Sequence, residues 1–290
     1  MKTADSLLLQ FCFLTSSFLK FNVRYFSSAI FLYCKNTLNL FMKLFEDVEI
    51  INGHRAIYIQ DLDLVVISDL QLGEELYLAE EKGIFVPQVQ LKEIKKGLND
   101  IFKKVKAKRI LINGDLKHEF GEASRQEWRE VIDFVEFLRK KVKEIIVVRG
   151  NHDNYLLNIA SKINLQVFDP FYLEKGYLFT HGHKKIPYPK DFHTLIIGHE
   201  EPAIILKEGF DKIKLPALLY GKMKNGKRII CLPAFSYLSS GTEVNAVDKE
   251  DLLSPILKED VEIDDLEVIG IDKEVGSLKF GKIKDIKISL

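Results

Sequence analysis

Five short polar signatures carry the residue types from which a metal centre is made. In chain order they are Ser68-Asp69-Leu70-Gln71, Gly114-Asp115, Gly150-Asn151-His152-Asp153, His181-Gly182-His183 and Gly198-His199-Glu200-Glu201. Carboxylates, amide oxygens and imidazoles brought together suit divalent ions of the Mn, Fe or Zn kind. Each signature alone is weak evidence. An Asp at a strand end serves as a helix cap or turn former, and a lone histidine is more often a satisfied core residue than a ligand.

The signatures gain force from what precedes them. Each follows an apolar, strand-like run: Leu64-Val65-Val66-Ile67, Ile110-Leu111-Ile112-Asn113, Ile145-Ile146-Val147-Val148, Tyr177-Leu178-Phe179 and Leu195-Ile196-Ile197. Parallel strands buried on both faces read this way, and open α/β sheets bind ligands beyond the strands' carboxyl ends. Helical patterns separate the early runs. Leu72–Lys82 stops at Gly83, and Leu91, Ile94, Leu98, Ile101, Phe102 and Val105 recur at helical spacing after Pro87. Ser124 and Glu127 form a capping box before Trp128, Val131, Ile132, Val135 and Leu138, and a short helix is expected near Asn154–Ser161. Upstream, Val48–Gln60 reads as two strands about the Asn52-Gly53 turn.

From Leu165 onward strands follow one another, with turns at Gly176, Gly182, Gly198, Asn225-Gly226, Gly276 and Gly281. Val268–Asp272, Ser277–Lys279 and Ile283–Ile288 are expected to close the second sheet. A βα first half and a β-rich second half imply an α/β fold. Its two sheets pack face to face with helices on the outer faces, in one domain spanning 42–290.

At 290 residues, 47% of them hydrophobic and 29% charged, the chain can bury a full core. Its formal net charge of zero excludes a global field toward nucleic acid or anionic membrane. The three cysteines, Cys12, Cys34 and Cys231, show no CxxC pair and no disulfide framework, which fits a reducing, cytoplasmic setting. Residues 1–41 are rich in Phe and Ser and lack a clean period. Three readings of them stand: an extension foreign to the native protein with Met42 as the genuine start, a targeting or membrane-surface segment, and an ordered N-terminal element. No membrane association is expected of 42–290, and nothing in the residues bears on oligomeric state.

The order of the signatures resembles the calcineurin-like metallophosphoesterase superfamily, whose pattern runs Asp-x-His, Gly-Asp, Gly-Asn-His-(Asp/Glu), His and Gly-His-x-His. The strings Gly114–Phe120 and Gly198–Ala203 resemble an archaeal branch related to bacterial ligase-associated nucleases. The resemblance implies an αββα sandwich and a metal-dependent phosphohydrolase, a phosphodiesterase or nuclease rather than a monoesterase. It implies two divalent ions, Mn²⁺ first and Fe, Zn or Mg as alternatives, that share and deprotonate a water for in-line attack on phosphorus. Metal 2 would take Asp115, Asn151, His181 and His199; metal 1 would take Asp69 and Asp115 with two further residues; His152 would be the general acid.

Two positions depart from that pattern. Gln71 stands where the pattern has the His of Asp-x-His, and Glu201 replaces the second His of Gly-His-x-His. Both histidines serve metal 1 in the family, so metal 2 keeps its ligand set while metal 1 exchanges imidazoles for oxygen donors. Oxygen ligands favour Mn²⁺ or Mg²⁺ over Zn²⁺ there. Two outcomes are open: a binuclear centre with an altered metal 1, or a site holding metal 2 alone. A degenerate member using the fold for binding or scaffolding is the alternative function. His118, three residues after Asp115, would contact substrate phosphate or orient His152. Lys117 and Arg149 could neutralise phosphate charge, and His183 reads as a neighbour of the site. His54 and His193 read as structural. The lysine-rich helix faces read as solvated, and the loop Lys184, Lys185, Tyr188, Lys190 suggests a phosphate-rich substrate, nucleic acid included.

Overall fold

The computed structural model of the protein describes residues 39–121, 124–208 and 211–288. The readings of the N-terminal segment fall almost wholly on residues outside these. The first described strand, β1 (Phe41–Lys43), begins one residue before Met42. It pairs antiparallel with β2 (Val48–Ile51), which pairs with β3 (Ile57–Ile59) across the expected turn. Next come β4 (Leu64–Ile67), β5 (Arg109–Asn113), β6 (Glu144–Val148) and β7 (Gln166–Phe168), parallel to one another, and they complete a sheet in the order β1 to β7. The second sheet holds β8 (Tyr172–Glu174), β9 (Tyr177–Phe179), β10 (Thr194–Ile197), β11 (Pro202–Glu208), β12 (Asp211–Lys222), β13 (Arg228–Cys231) and β14 (Thr242–Glu243). Its order is β14-β11-β12-β13-β10-β9-β8, with β15 (Glu267–Asp272) on β12 and β16 (Gly276–Lys282) on β15.

Alternation along the apolar strands builds three layers of core. Val65 and Ile67 of β4 face outward with Ile110 and Ile112 of β5. They pack chiefly on the Ile94, Leu98 and Ile101 stripe of one helix and the Val131, Phe134, Val135 and Leu138 stripe of the next. These two are α2 (Gln90–Lys104) and α3 (Arg125–Arg139), which lie in the chain between α1 (Glu74–Lys82) and α4 (Leu156–Ile163). Leu64 and Val66, with Leu111, Ile146 and Val148, turn the other way and meet Phe179, Ile196, Leu218 and Ile230 between the sheets. Both faces being buried is why these runs carry no polar alternation.

The outer face of the second sheet is covered by a short helix and by loops. One five-residue helix, α5 (Pro255–Glu259), lies there with loops that contribute Ile186, Phe192 and Leu252. Ile283–Ile288 is not a strand. Lys282 and Asp285 cap a 3₁₀ turn at Ile283–Asp285, and Ile283 drops into the core instead of pairing. Among the described residues no helix is long and apolar enough to cross a membrane.

Candidate metal centre

All five signatures arrive at one edge, because β4, β5, β6, β9 and β10 end there. The edge is held together by its own backbone: Asp69 N–H donates to Gly114 O (3.1 Å), and Gln71 N–H donates to Asp115 O (3.0 Å). Buried Asn113 donates to Thr180 O and Ile196 O, both at 3.1 Å, stitching the first sheet to the second just below the site. Of eight described non-glycine residues with positive φ, five are Asp69, Gln71, Asp115, His199 and Glu201. Such conformations cost on the order of 1–3 kcal/mol each and persist where the surroundings over-determine them. Glycines permit the crowding. A Cβ on Gly114 would lie 2.1 Å from His181 Nδ1, and one on Gly198 would lie 1.9 Å from Ser68 Oγ.

Around Asp115 a donor set converges. The ligand atoms of Asp115, His181 and His199 lie within 4.8 Å of one another. His181 Nε2 is 3.2 Å from Asp115 Oδ2 and 3.1 Å from Asn151 Oδ1. On the far side of the ring, His181 Nδ1 is 2.9 Å from Asn113 O, to which it donates, leaving Nε2 free to ligate. Asp69 Oδ1 lies 3.8 Å from the same Nε2, and its carboxylate accepts the His199 N–H.

Burial shapes the electrostatics. It raises Asp69 well above the usual carboxylate range, against the pull of His181. Burial also pushes Asp115 and Glu201 upward; the adjacent His181 overrides this at Asp115 and holds it low, while Glu201 stays raised. His181, which burial alone would lower, is driven up to about 10 by Asp115 and Asp69. His199, by contrast, is lowered to about 3, first by burial and then by His181. Asp115 and Asp69 thus favour the protonated form of the buried His181 imidazole, with the buried Glu201 carboxylate close by, and the group is short of positive charge. A carboxylate, an amide oxygen and two imidazoles fit one divalent ion of the Mn, Fe or Zn kind.

The second position is different. Gln71 turns its amide nitrogen, not its oxygen, toward Asp115 Oδ2 (3.2 Å) and Glu201 Oε1 (3.5 Å). Its Oε1 faces His118 Nδ1 at 3.1 Å. Glu201 accepts from the Ser239 hydroxyl, and the Arg55 guanidinium bears on it electrostatically. As arranged, Gln71 turns its one donor atom for a cation away from the two carboxylates and presents its NH₂ to them.

His152 donates its backbone N–H to Asp115 Oδ1 (3.0 Å), and its Nδ1 pairs with the His118 carbonyl. Its Nε2 is thereby turned toward the centre, 3.9 Å from Asp115 Oδ2. His118 therefore orients His152 through its main chain; its ring stacks on His152 at 5.3 Å between centroids. Phe120 packs on the same imidazole at 3.7 Å.

Beside this group opens a pocket of about 350 Å³ lined by Phe120, Arg149, Asn151, Asn154, His183 and Lys184, among others. Of the basic loop only Lys184 reaches it. Lys185 is paired with Glu259 and Asp260, and Tyr188 donates to Asp260. Lys117 is fully buried and donates to Glu119 O, so it is no surface phosphate contact. Lys95, Lys96 and Lys103 are paired with Asp133, Glu93 and Asp100 on the helix faces. His193 sits at the opposite end, bonded to Thr194 and the Lys175 carbonyl.

Several contributors were not singled out from sequence. Asp153 accepts Gly150 N–H and Leu116 N–H, tying two signature loops together. Glu200 accepts Leu253 and Ser254 N–H and anchors the loop before α5. Both lie within motifs, so the motif text was a signal for them. Arg55 and Ser239 carried none. Glu74 reads from sequence as an acid opening a helix, which it does at the start of α1, and it also sits near enough to Glu201 that burial and this charge raise it to about 7.

Two stacked mixed sheets that deliver carboxylates and imidazoles to one strand-end edge define a metallohydrolase-type α/β sandwich. The family model described as calcineurin-like phosphoesterase matches residues 62–262, and the chain belongs to that family, a hydrolase acting on phosphate esters that depends on divalent metal. Among solved structures it is similar to the nuclease MPE of Pseudomonas putida, at 17% identity and a TM-score of 0.56, covering 80% of this chain and 94% of that one. It is also similar to Yfce, a phosphoesterase from E. coli, at 18% identity and a TM-score of 0.35, covering 62% and 83%. The search of curated proteins finds no match.

Proposed function

We propose that this chain is a metal-dependent phosphodiesterase acting on nucleic acid or a similar phosphate-rich diester. The observation that carries this is the donor group Asp115, Asn151, His181 and His199 opening onto a pocket lined by Arg149, Lys184 and Phe120. Cations suit phosphate oxygens, and an exposed ring suits the flat face of a base or aryl ester. The fold shared with a protein described as a nuclease is consistent with this reading. An ion on those four residues would supply Lewis-acid charge and an activated water, and a set of two imidazoles with two oxygen donors suits an ion of the Mn, Fe or Zn kind. His152, held by the His118 carbonyl and packed against Phe120, is the general acid for the leaving oxygen. Arg149, itself braced by Asp169 and Asn154, lies where it can orient the diester. Asp69 holds the His199 backbone and so aligns that ligand.

The test is hydrolysis of bis-p-nitrophenyl phosphate, then of oligonucleotides, by the full chain with Mn²⁺, Mg²⁺ or chelator. Turnover should require metal and fall by about 10²–10⁴-fold in His152→Ala. A folded chain with no turnover under any metal would leave a binding or scaffold role as the better reading.

A further inference from the structure

Gln71 and Glu201 are a coupled pair. They lie 130 residues apart, yet their side chains meet over Asp115. The end of the Gln71 amide lodged between Asp115 Oδ2 and Glu201 Oε1 is the NH₂ group, which donates to both oxygens. An amide nitrogen has its lone pair delocalised into the carbonyl and is not a metal donor. The one atom Gln71 could offer a cation, Oε1, is on the other side and accepts from His118 Nδ1 at 3.1 Å. Turning the amide over would set its oxygen against two carboxylates and surrender those contacts together.

Glu201 is committed in the same way. One oxygen meets Gln71 and the other accepts from Ser239, whose own oxygen accepts the Gly241 N–H at 3.1 Å. Arg55 supplies opposite charge nearby while donating to the Ala234 and Ser236 carbonyls at 3.2 and 2.6 Å. The backbone pins both partners, with φ of 55° at Gln71 and 49° at Glu201.

We infer that the Gln71 amide, clamped by Asp115, Glu201 and His118, takes the structural place of a second cation, so that the chain works with a single divalent ion on Asp115, Asn151, His181 and His199. This deepens the proposed reading of the site and rests on it. The amide bridges the two carboxylates by hydrogen bonds, as an ion would by coordination, and leaves only the mixed nitrogen and oxygen set to bind metal.

The experiment is metal stoichiometry on the full chain, stripped with chelator and dialysed against micromolar Mn²⁺, with electron paramagnetic resonance on the same samples. Wild type should hold about one ion per chain and give the six-line spectrum of an isolated Mn²⁺; Gln71→His/Glu201→His should hold about two and give an exchange-coupled spectrum; folded His199→Ala should lose most of the bound ion. A wild type that binds two ions overturns the inference without help from any variant, and so does a folded wild type that binds none. A folded double variant that stays at one ion also overturns it, because the pair would then not be what excludes the second cation. Failure of the parent reading looks different: one ion bound, and no diester hydrolysis.

Discussion

The candidate ligand His181 depends on a neighbour that has no side chain. Its Nδ1 donates to Asn113 O, and Gly114 must stay bare beside it at φ 95°. Gly114→Ala adds a methyl in a conformation L-residues resist, against the imidazole itself. We expect it to lower unfolding stability by about 2–4 kcal/mol and to abolish the rise in melting temperature that Mn²⁺ produces. Thermal melts with and without metal measure both. Residues of this kind were readable in sequence because the motif strings are local: Gly114 adjoins Asp115, and Asn151 adjoins His152. Arg55 and Ser239 were not, since each reaches the site through folding alone and no spacing rule links Ser239 to Glu201. The direction of the Gln71 amide was equally hidden. Residue type offered an oxygen ligand, and only the carboxylates around it decide which end of the amide faces them.

At the scale of elements, the capping box at α3 does more than start a helix. Ser124 Oγ accepts Glu127 N–H and Glu127 accepts Ser124 N–H, but the Glu127 carboxylate also accepts Glu119 N–H at 2.7 Å. It therefore ties the helix to the loop that presents the His118 carbonyl and the Phe120 ring to His152. Ser124→Ala should cost about 1 kcal/mol of stability, read in urea melts, with turnover nearly unchanged. Glu127→Ala should in addition lower turnover by about tenfold, because the loop that aligns the general acid is released. The helices were legible for the same reason that they are stable, an apolar stripe and a cap. Ile283–Ile288 was misread because isoleucines spaced by charged residues mimic a strand. Asp285 accepting the Lys282 N–H at 3.0 Å bends that segment into a turn.

Over the whole molecule the two ends of the strands divide their duties. The ends opposite the site are joined by ionic networks. Arg109, first residue of β5, bonds Glu144 of β6 and Glu174 of β8, while Arg228 of β13 grips Asp47 before β2. Burial tends to raise Asp47 and Glu174, but hydrogen bonds from Arg228 and Tyr177 to the first, and from Arg109 and Tyr172 to the second, hold both below the ordinary carboxylate range. A lowered folded value means that the unfolded chain takes up protons first as pH falls. The stabilisation is therefore complete above about pH 5 and fades as acid passes through the lowered folded values. Asp47→Asn/Glu174→Gln should be less stable than wild type in urea at pH 7, and the gap should close toward pH 3 and narrow in high salt.

The separation of the two ends has a consequence for how such a chain can change over generations. The contacts that join its sheets through ion pairs lie a full strand length from the residues that would touch substrate. Substitutions among the loops at the chemical edge can accumulate without loosening that seam, and the seam can drift without disturbing the chemistry. A lineage built this way can explore new substrates, or lose one ion and keep another, while the ionic seam goes on holding its sheets together.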